Sequence, residues 1–274
     1  MLYRPHIRLL SHTLVLFAIA QTLAMVVASH IRALNETSAI LPTAGITLSV
    51  FLTYFSLGTL LILLLIKLYH GKTLYRVLFF IALCSGLITV FQMVFPLPIS
   101  LFVSITFCVG LYLLPIIWVH NIAIIIASAG LGALLGLQLT WVVAVWLLLI
   151  LSVYDIIAVY VTGHMIHMAR VFIARQASFA LIIPESWYGL YEKLGDVRPS
   201  GGFLMLGGGD VVLPMLLSIA VAPVSMNASI GSSVGSLFGL IINHFVLLRW
   251  ERPIPALPMI AAGCVLGMLI GLGM

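Results

Sequence analysis

Nine stretches of this chain are apolar and long enough, or nearly so, to cross a bilayer as a helix of roughly 20 residues. They run approximately over 9–28, 46–68, 77–95, 99–112, 117–139, 140–163, 202–221, 227–248 and 255–273. The fourth and fifth lie in an uncharged stretch that only Pro115 and the His120-Asn121 pair interrupt. Two spans fit this stretch better than the alternative, one long span with a re-entrant piece. Charged residues make up 7% of the chain, against about a quarter in a soluble domain. No water-soluble fold hides this much apolar surface, so the expected fold is all-α, a polytopic transmembrane helical bundle. The first apolar run exceeds the 7–15 residues or so of a signal-peptide core and reads as a retained helix. The three cysteines lie singly in apolar runs and read as small buried hydrophobes.

The basic residues orient the bundle. With the N-terminus in the cytoplasm, Arg4, Arg8, Lys67, Lys72, Arg76, Arg170, Arg175, Lys193, Arg198, Arg249 and Arg252 fall on the cytoplasmic side. Only Arg32 falls outside. This is a positive-inside pattern, and it puts the C-terminus outside. Removing one span would place Arg249 and Arg252 opposite the N-terminal arginines. The formal charge of +5 is therefore a membrane-orientation signal, and no nucleic-acid partner is expected. The chain reads as one structural domain in three portions: six helices over 1–163, a polar cytoplasmic loop over 164–201, and three helices over 202–274. It is expected to be a multi-pass integral membrane protein, in the cell membrane if the source is prokaryotic, with the lipid bilayer as a partner.

Five of the seven acidic residues sit in connections. The other two, Asp155 in LSVYDIIAVY and Asp210 in LMLGGGDVVLP, lie within apolar runs. A carboxylate at a helix centre costs about 2.5–3.5 kcal/mol on insertion scales. No lysine or arginine shares the interior with them, so an ion pair does not account for them. Asp155 lies ~15 Å from the cytoplasmic end of its span, and Asp210 ~12 Å into its own, at 1.5 Å per residue. The two spans run oppositely and are joined by the cytoplasmic loop, so the carboxyls reach similar depth and face each other if the helices are neighbours. Two carboxyls in a low dielectric cannot both ionise, and the pair holds a single proton. One can then take a proton from water while the other donates to a peptide carbonyl, the arrangement of aspartic proteases. The bland alternative is two protonated acids making interhelical hydrogen bonds.

Gly207, Gly208 and Gly209 remove side chains immediately before Asp210, letting a backbone or a substrate approach closely. Glycines for tight helix packing are the simpler alternative. Pro253, Pro255 and Pro258 make the ninth span begin irregularly, with free backbone groups that an extended peptide can pair with.

Tyr154-Asp155, Gly207-Gly208-Gly209-Asp210 and Pro255-Ala256-Leu257 resemble the Y-D, G-x-G-D and P-A-L motifs of the presenilin and signal peptide peptidase family, the intramembrane aspartyl proteases. Their order and the nine-span layout extend the resemblance over nearly the whole chain, which looks most like an archaeal or other microbial presenilin homologue. The resemblance implies that Asp155 and Asp210 are the catalytic pair and that Tyr154 lines the site. It further implies that the glycines of 207–209 shape the site and that Pro255, Ala256 and Leu257 help bind substrate. It implies transmembrane protein substrates with their N-terminus outside, as presenilins prefer, and the charge pattern independently gives the presenilin orientation. The compact loop departs from the longer one in which presenilins cleave themselves. The expected function is hydrolysis of peptide bonds within transmembrane helices. The proline-rich entrance of the ninth span and the loop before the seventh are expected to admit the substrate. No cofactor or metal is expected.

Three rival readings compete. A proton-coupled transporter would also use membrane acids and broken helices, but no repeat relates the two halves. Gly231-Ser232-Ser233-Val234-Gly235 satisfies G-x-S-x-G, yet that motif needs a strand-turn-helix setting. Gly231, Gly235 and Gly239, like Gly263, Gly267 and Gly271, recur every four residues and read as helix-packing faces. His164 and His167 have metal-ligand spacing, but nothing near them in sequence completes a set.

Overall fold

In lipid every backbone polar group must find a partner within the protein, which leaves the helix as the default for each apolar stretch. The computed structural model describes residues 4–38, 47–68, 72–160, 179–196, 203–250 and 254–274. Nine α-helices lie among the described residues: α1 (Arg4–Ser38), α2 (Leu48–Leu68), α3 (Lys72–Phe91), α4 (Leu97–Leu113), α5 (Ile117–Gln138), α6 (Trp141–Tyr160), α7 (Gly208–Val221), α8 (Met226–Trp250) and α9 (Leu257–Gly273). Each answers to one expected apolar stretch. By length and composition, α1, α5, α6 and α8 are long and apolar enough to cross a membrane.

The joints follow local chemistry. Pro96 is extended and Pro98 sits in the first turn of α4, where a missing N–H costs nothing. Thr140 caps α6 through Oγ1 to the Val143 N–H (3.4 Å), and Ser225 caps α8 through Oγ to the Ala228 N–H (3.2 Å). Leu114, Pro115 and Ile116 separate α4 from α5. His120 and Asn121 do not mark that break. They lie inside α5 and are buried.

Two expectations are corrected. The seventh stretch is not helical from 202. Phe203–Gly207 is a strand, β2, paired antiparallel with β1 (Ala180–Pro184), and the helix starts only at Gly208. The connection over 164–201 is also more than a solvated loop, because every residue of β1 is buried. Two short 3-10 turns, Trp187–Tyr191 and Leu194–Asp196, follow β1. This segment is stitched to the start of α5: Ile117 N–H donates to the Glu192 carbonyl (3.1 Å) and Leu194 N–H to the Pro115 carbonyl (2.8 Å).

Helix α5 is central and packs against α1, α3, α4, α7 and β1. Small residues set its contacts. A Cβ at Gly86 of α3 would strike the Ala127 carbonyl, and one at Gly130 the Gly86 carbonyl. Gly132 and Gly136 make room for Met215 and Ile219 of α7. The α8–α9 crossing is as close: a Cβ at Gly231, Gly235 or Gly239 would meet the Gly267, Gly263 or Met259 carbonyl. That is the small-residue interface the four-residue spacing predicts. A second core joins α6, α7, α8 and α9 through Leu147, Leu148, Leu217, Ala261 and Cys264, among others.

Candidate active site

The two aspartates come from different elements. Asp155 lies in the C-terminal half of α6 and is half-buried. Asp210 is the third residue of α7 and only 8% exposed. It therefore sits in the first helical turn, not eight residues inside a span. The approach of α6 to α7 brings the carboxyls within electrostatic reach of each other.

Each carboxyl also meets the start of a helix. The Leu257 N–H, the first free donor of α9, donates to Asp155 Oδ2 at 3.3 Å. The α9 entrance thus presents this backbone group to Asp155 and not to an incoming peptide. Asp210 occupies the third position of α7 and hydrogen-bonds back to the Gly207 backbone, one half of a capping box. Carboxylates in both places are favoured by the positive end of the helix dipole. Pro214, four residues on, has no N–H to return to the Asp210 carbonyl, which loosens α7 beside the pair.

The three glycines differ. Gly208 N–H donates to the Phe179 carbonyl at 2.7 Å. A Cβ at Gly208 would lie 2.6 Å from that oxygen and inside the Phe179 ring. At Gly207 a Cβ would stand 3.1 Å from Asp210 Oδ2. At Gly209 it would meet nothing within 4 Å. So Gly208 closes the strand-helix junction, Gly207 lies against the carboxyl, and Gly209 borders open space.

Pro255 and Leu257 are buried and Ala256 half-buried, where Ile254–Ala256 leads non-helically into α9. The expected irregular entrance is present over these residues; Pro253 lies outside the described residues. A cavity of about 330 Å³ opens beside it, walled by Ile156 and Tyr160 of α6, Trp250 of α8, and Pro255 and Pro258. Tyr154, next to Asp155 in α6, is 62% exposed.

Sequence reasoning missed the hairpin and its anchors. His120 Nε2–H donates to the Ala180 carbonyl (3.0 Å). Asn121 Nδ2 donates to the Ile182 carbonyl (2.7 Å), and its Oδ1 accepts from the Ile182 N–H (2.9 Å). His12 of α1 reaches the Pro184 carbonyl (3.4 Å). The available signal was a buried-looking polar pair in α5 and the apolar run Ala180–Ile183. The serine reading fails on geometry. Ser233 Oγ points to Met25 Sδ at 3.5 Å, and His244 is eleven residues along the same helix, ~16 Å away at helical rise. His164 and His167 lie outside the described residues.

Residues 14–274 match the family described as signal-peptide peptidase, presenilin aspartyl protease. The chain belongs to this family of intramembrane aspartyl proteases. Among solved structures, it is similar to a presenilin family intramembrane aspartate protease in two crystal forms. One, in space group C222, has 22% identity and a TM-score of 0.68, covering 96% of this chain and 98% of that one. The other, in P2, has 23% identity and a TM-score of 0.67, covering 95% and 96%. No curated protein matches the chain. The presenilin-like fold is thus shared over nearly the full length, and nothing in these likenesses favours a transporter.

Proposed function

We propose that this chain hydrolyses peptide bonds within the transmembrane helices of membrane-protein substrates, with Asp155 and Asp210 as the catalytic pair. The observation that carries the reading is the meeting of two intramembrane carboxyls from α6 and α7. With one proton between them, the ionised carboxyl takes a proton from water, and the water oxygen bonds to the peptide carbonyl carbon. The protonated carboxyl gives its proton to the carbonyl oxygen. The tetrahedral gem-diol then collapses: the C–N bond breaks, the amine leaves with a proton from the pair, and a gem-diol hydroxyl returns its proton to the pair as the new carboxyl forms. No metal or cofactor is needed.

The hairpin suggests how the substrate is held. Asn121 takes both backbone groups of Ile182, so Ile182 and Met205 form a non-hydrogen-bonded pair. The backbone groups of Phe203 and Met205 therefore point away from β1. This edge of β2 runs directly towards Asp210, and an unwound substrate segment can add to it as a third strand. The opposite edge of β1 is already occupied by His12, His120 and Asn121. The cavity beside Pro255 serves as the approach, and the cytoplasmic placement of the basic residues favours substrates with their N-terminus outside.

The test is cleavage of a single-span peptide, N-terminus outside, by the protein in liposomes. The parent is expected to cut within the span, and Asp155→Asn and Asp210→Asn to be silent. Variants that cut as fast as the parent would remove the pair from the mechanism.

A further inference from the structure

We propose that Asn121 is a positioning residue: by holding β1 it fixes the register of the hairpin, and so where a substrate strand lies relative to Asp210. This rests on the proposed protease function and adds to it a residue some sixty positions from the hairpin it controls. Asn121 is 2% exposed and His120 1% exposed. A buried amide is costly unless both its donor and acceptor are used. Both are used here, on one residue, Ile182. The side chain thus acts as a one-residue strand, closing the edge of β1 that faces α5.

This contact selects a register. A slide of β1 by one residue would present Leu181 or Ile183, whose N–H and C=O point towards β2 instead. The smallest slip that restores both bonds is two residues, and only the one that presents Ala180, because Pro184 has no N–H to donate. His120 on Ala180 and the close fit of Phe179 against Gly208 favour the same setting. From Ile182 the constraint passes across the ladder (Leu181 with Leu206, Ile183 with Leu204). It then follows β2 without a loop into Gly207, the N-cap of α7, three residues before Asp210. The core packing of α7 against Gly132 and Gly136 fixes the helix body. It does not fix the β2 edge, whose broad contacts among the described elements are with β1 and α7.

The test compares the parent with Asn121→Leu, which keeps the volume and loses both bonds, and Asn121→Ala, which loses both bonds without the branched side chain. Hydrogen exchange in detergent is read over 180–184 and 203–210, with α8 and α9 as internal references. Each lost hydrogen bond is expected to speed hairpin exchange by about fivefold to tenfold, with the references unchanged. On the single-span peptide, Asn121→Leu is expected to spread the cuts to sites two residues from the parent's main site. It should also lower kcat at least about tenfold, with KM nearly unchanged. A merely destabilised fold would speed exchange in α8 and α9 as well and reduce all products in parallel. If Asn121→Leu does not fold, Asn121→Ala carries the same comparison. Hairpin exchange equal to the parent's overturns the anchor. Faster exchange with an unaltered cut pattern overturns its positioning role. A parent that cuts nothing refutes the protease reading, and the exchange comparison then decides the anchor alone.

Discussion

Adjacent glycines 208 and 209 should respond to the same substitution with opposite signs. Gly209→Ala adds a methyl that meets nothing within 4 Å, at a helical position any L-residue can adopt. Restricting the unfolded chain then stabilises by about 0.4–1 kcal/mol. Gly208→Ala gains the same amount but drives the methyl into the Phe179 ring and to 2.6 Å from the Phe179 carbonyl oxygen. That oxygen cannot retreat without losing the 2.7 Å bond from Gly208 N–H, worth about 1 kcal/mol. Overpacking adds about 1–3 kcal/mol. The net effect of Gly208→Ala is a loss of about 1–3 kcal/mol. The assay is paired unfolding of both variants and the parent in one detergent, followed by tryptophan fluorescence, with peptide cleavage measured on the folded protein. Gly209→Ala should fold at least as well as the parent and, with its methyl in open space, cut at a comparable rate. A Gly208→Ala variant as stable as the parent, or a Gly209→Ala variant that loses more than about 1 kcal/mol, would refute the junction described above.

Two further outcomes follow from the packing and the pair. Gly235→Leu inserts a branched side chain where even a Cβ would strike the Gly263 carbonyl. It should separate α8 from α9 and cost more than about 3 kcal/mol, read as a large fall in the unfolding midpoint. The pH dependence of kcat/KM should be bell-shaped, because only the singly protonated pair holds both a base and an acid. Activity is gained as the first proton leaves and lost as the second leaves, and a flat profile across the acidic range would exclude a shared proton.

What the sequence discloses depends on how far apart the interacting residues are. The glycine faces of α8 and α9 are readable because a four-residue repeat is local to one helix, and the structure uses each glycine as that spacing implies. The two acids are readable because carboxyls in apolar runs are rare; the depth assigned to Asp210 is not, because it counted β2 as helix. The hairpin is not readable in the same way. Leu204–Leu206 is as apolar as the helix that follows, and a run this short has no period that separates strand from helix. Only its pairing with Ala180–Pro184, across some twenty residues, decides the matter. The same holds for His120 and Asn121. Beside Pro115 they resemble the end of a span, because the backbone groups that satisfy them lie 60 and 61 residues away.

The hairpin also addresses a cost that two carboxyls alone would not. A peptide bond in a helix is shielded by its own turn, so hydrolysis requires the substrate to unwind within the membrane. Each backbone group released there costs several kcal/mol until it finds a partner. Among the described residues nothing pairs with the outer edge of β2, and on the proposed function it offers the N–H and C=O of Phe203 and of Met205, four groups matched to the alternate residues of an extended segment. The occupied edge of β1 directs that addition to one side, the side that leads into Asp210. On the proposed function, the short strand-to-helix junction sets the distance from this edge to the carboxyl: Met205 and Asp210 are five residues apart. In this arrangement the sheet edge that compensates unwinding also selects the bond placed before the acids. Side-chain specificity at the cut site should therefore be weak compared with dependence on how easily the substrate helix opens. A series of substrates differing only in a helix-loosening glycine pair near the cut site tests this. Rates should rise with loosening at a constant cut position, whereas rates governed by side-chain identity at that position would argue for a pocket in place of a template.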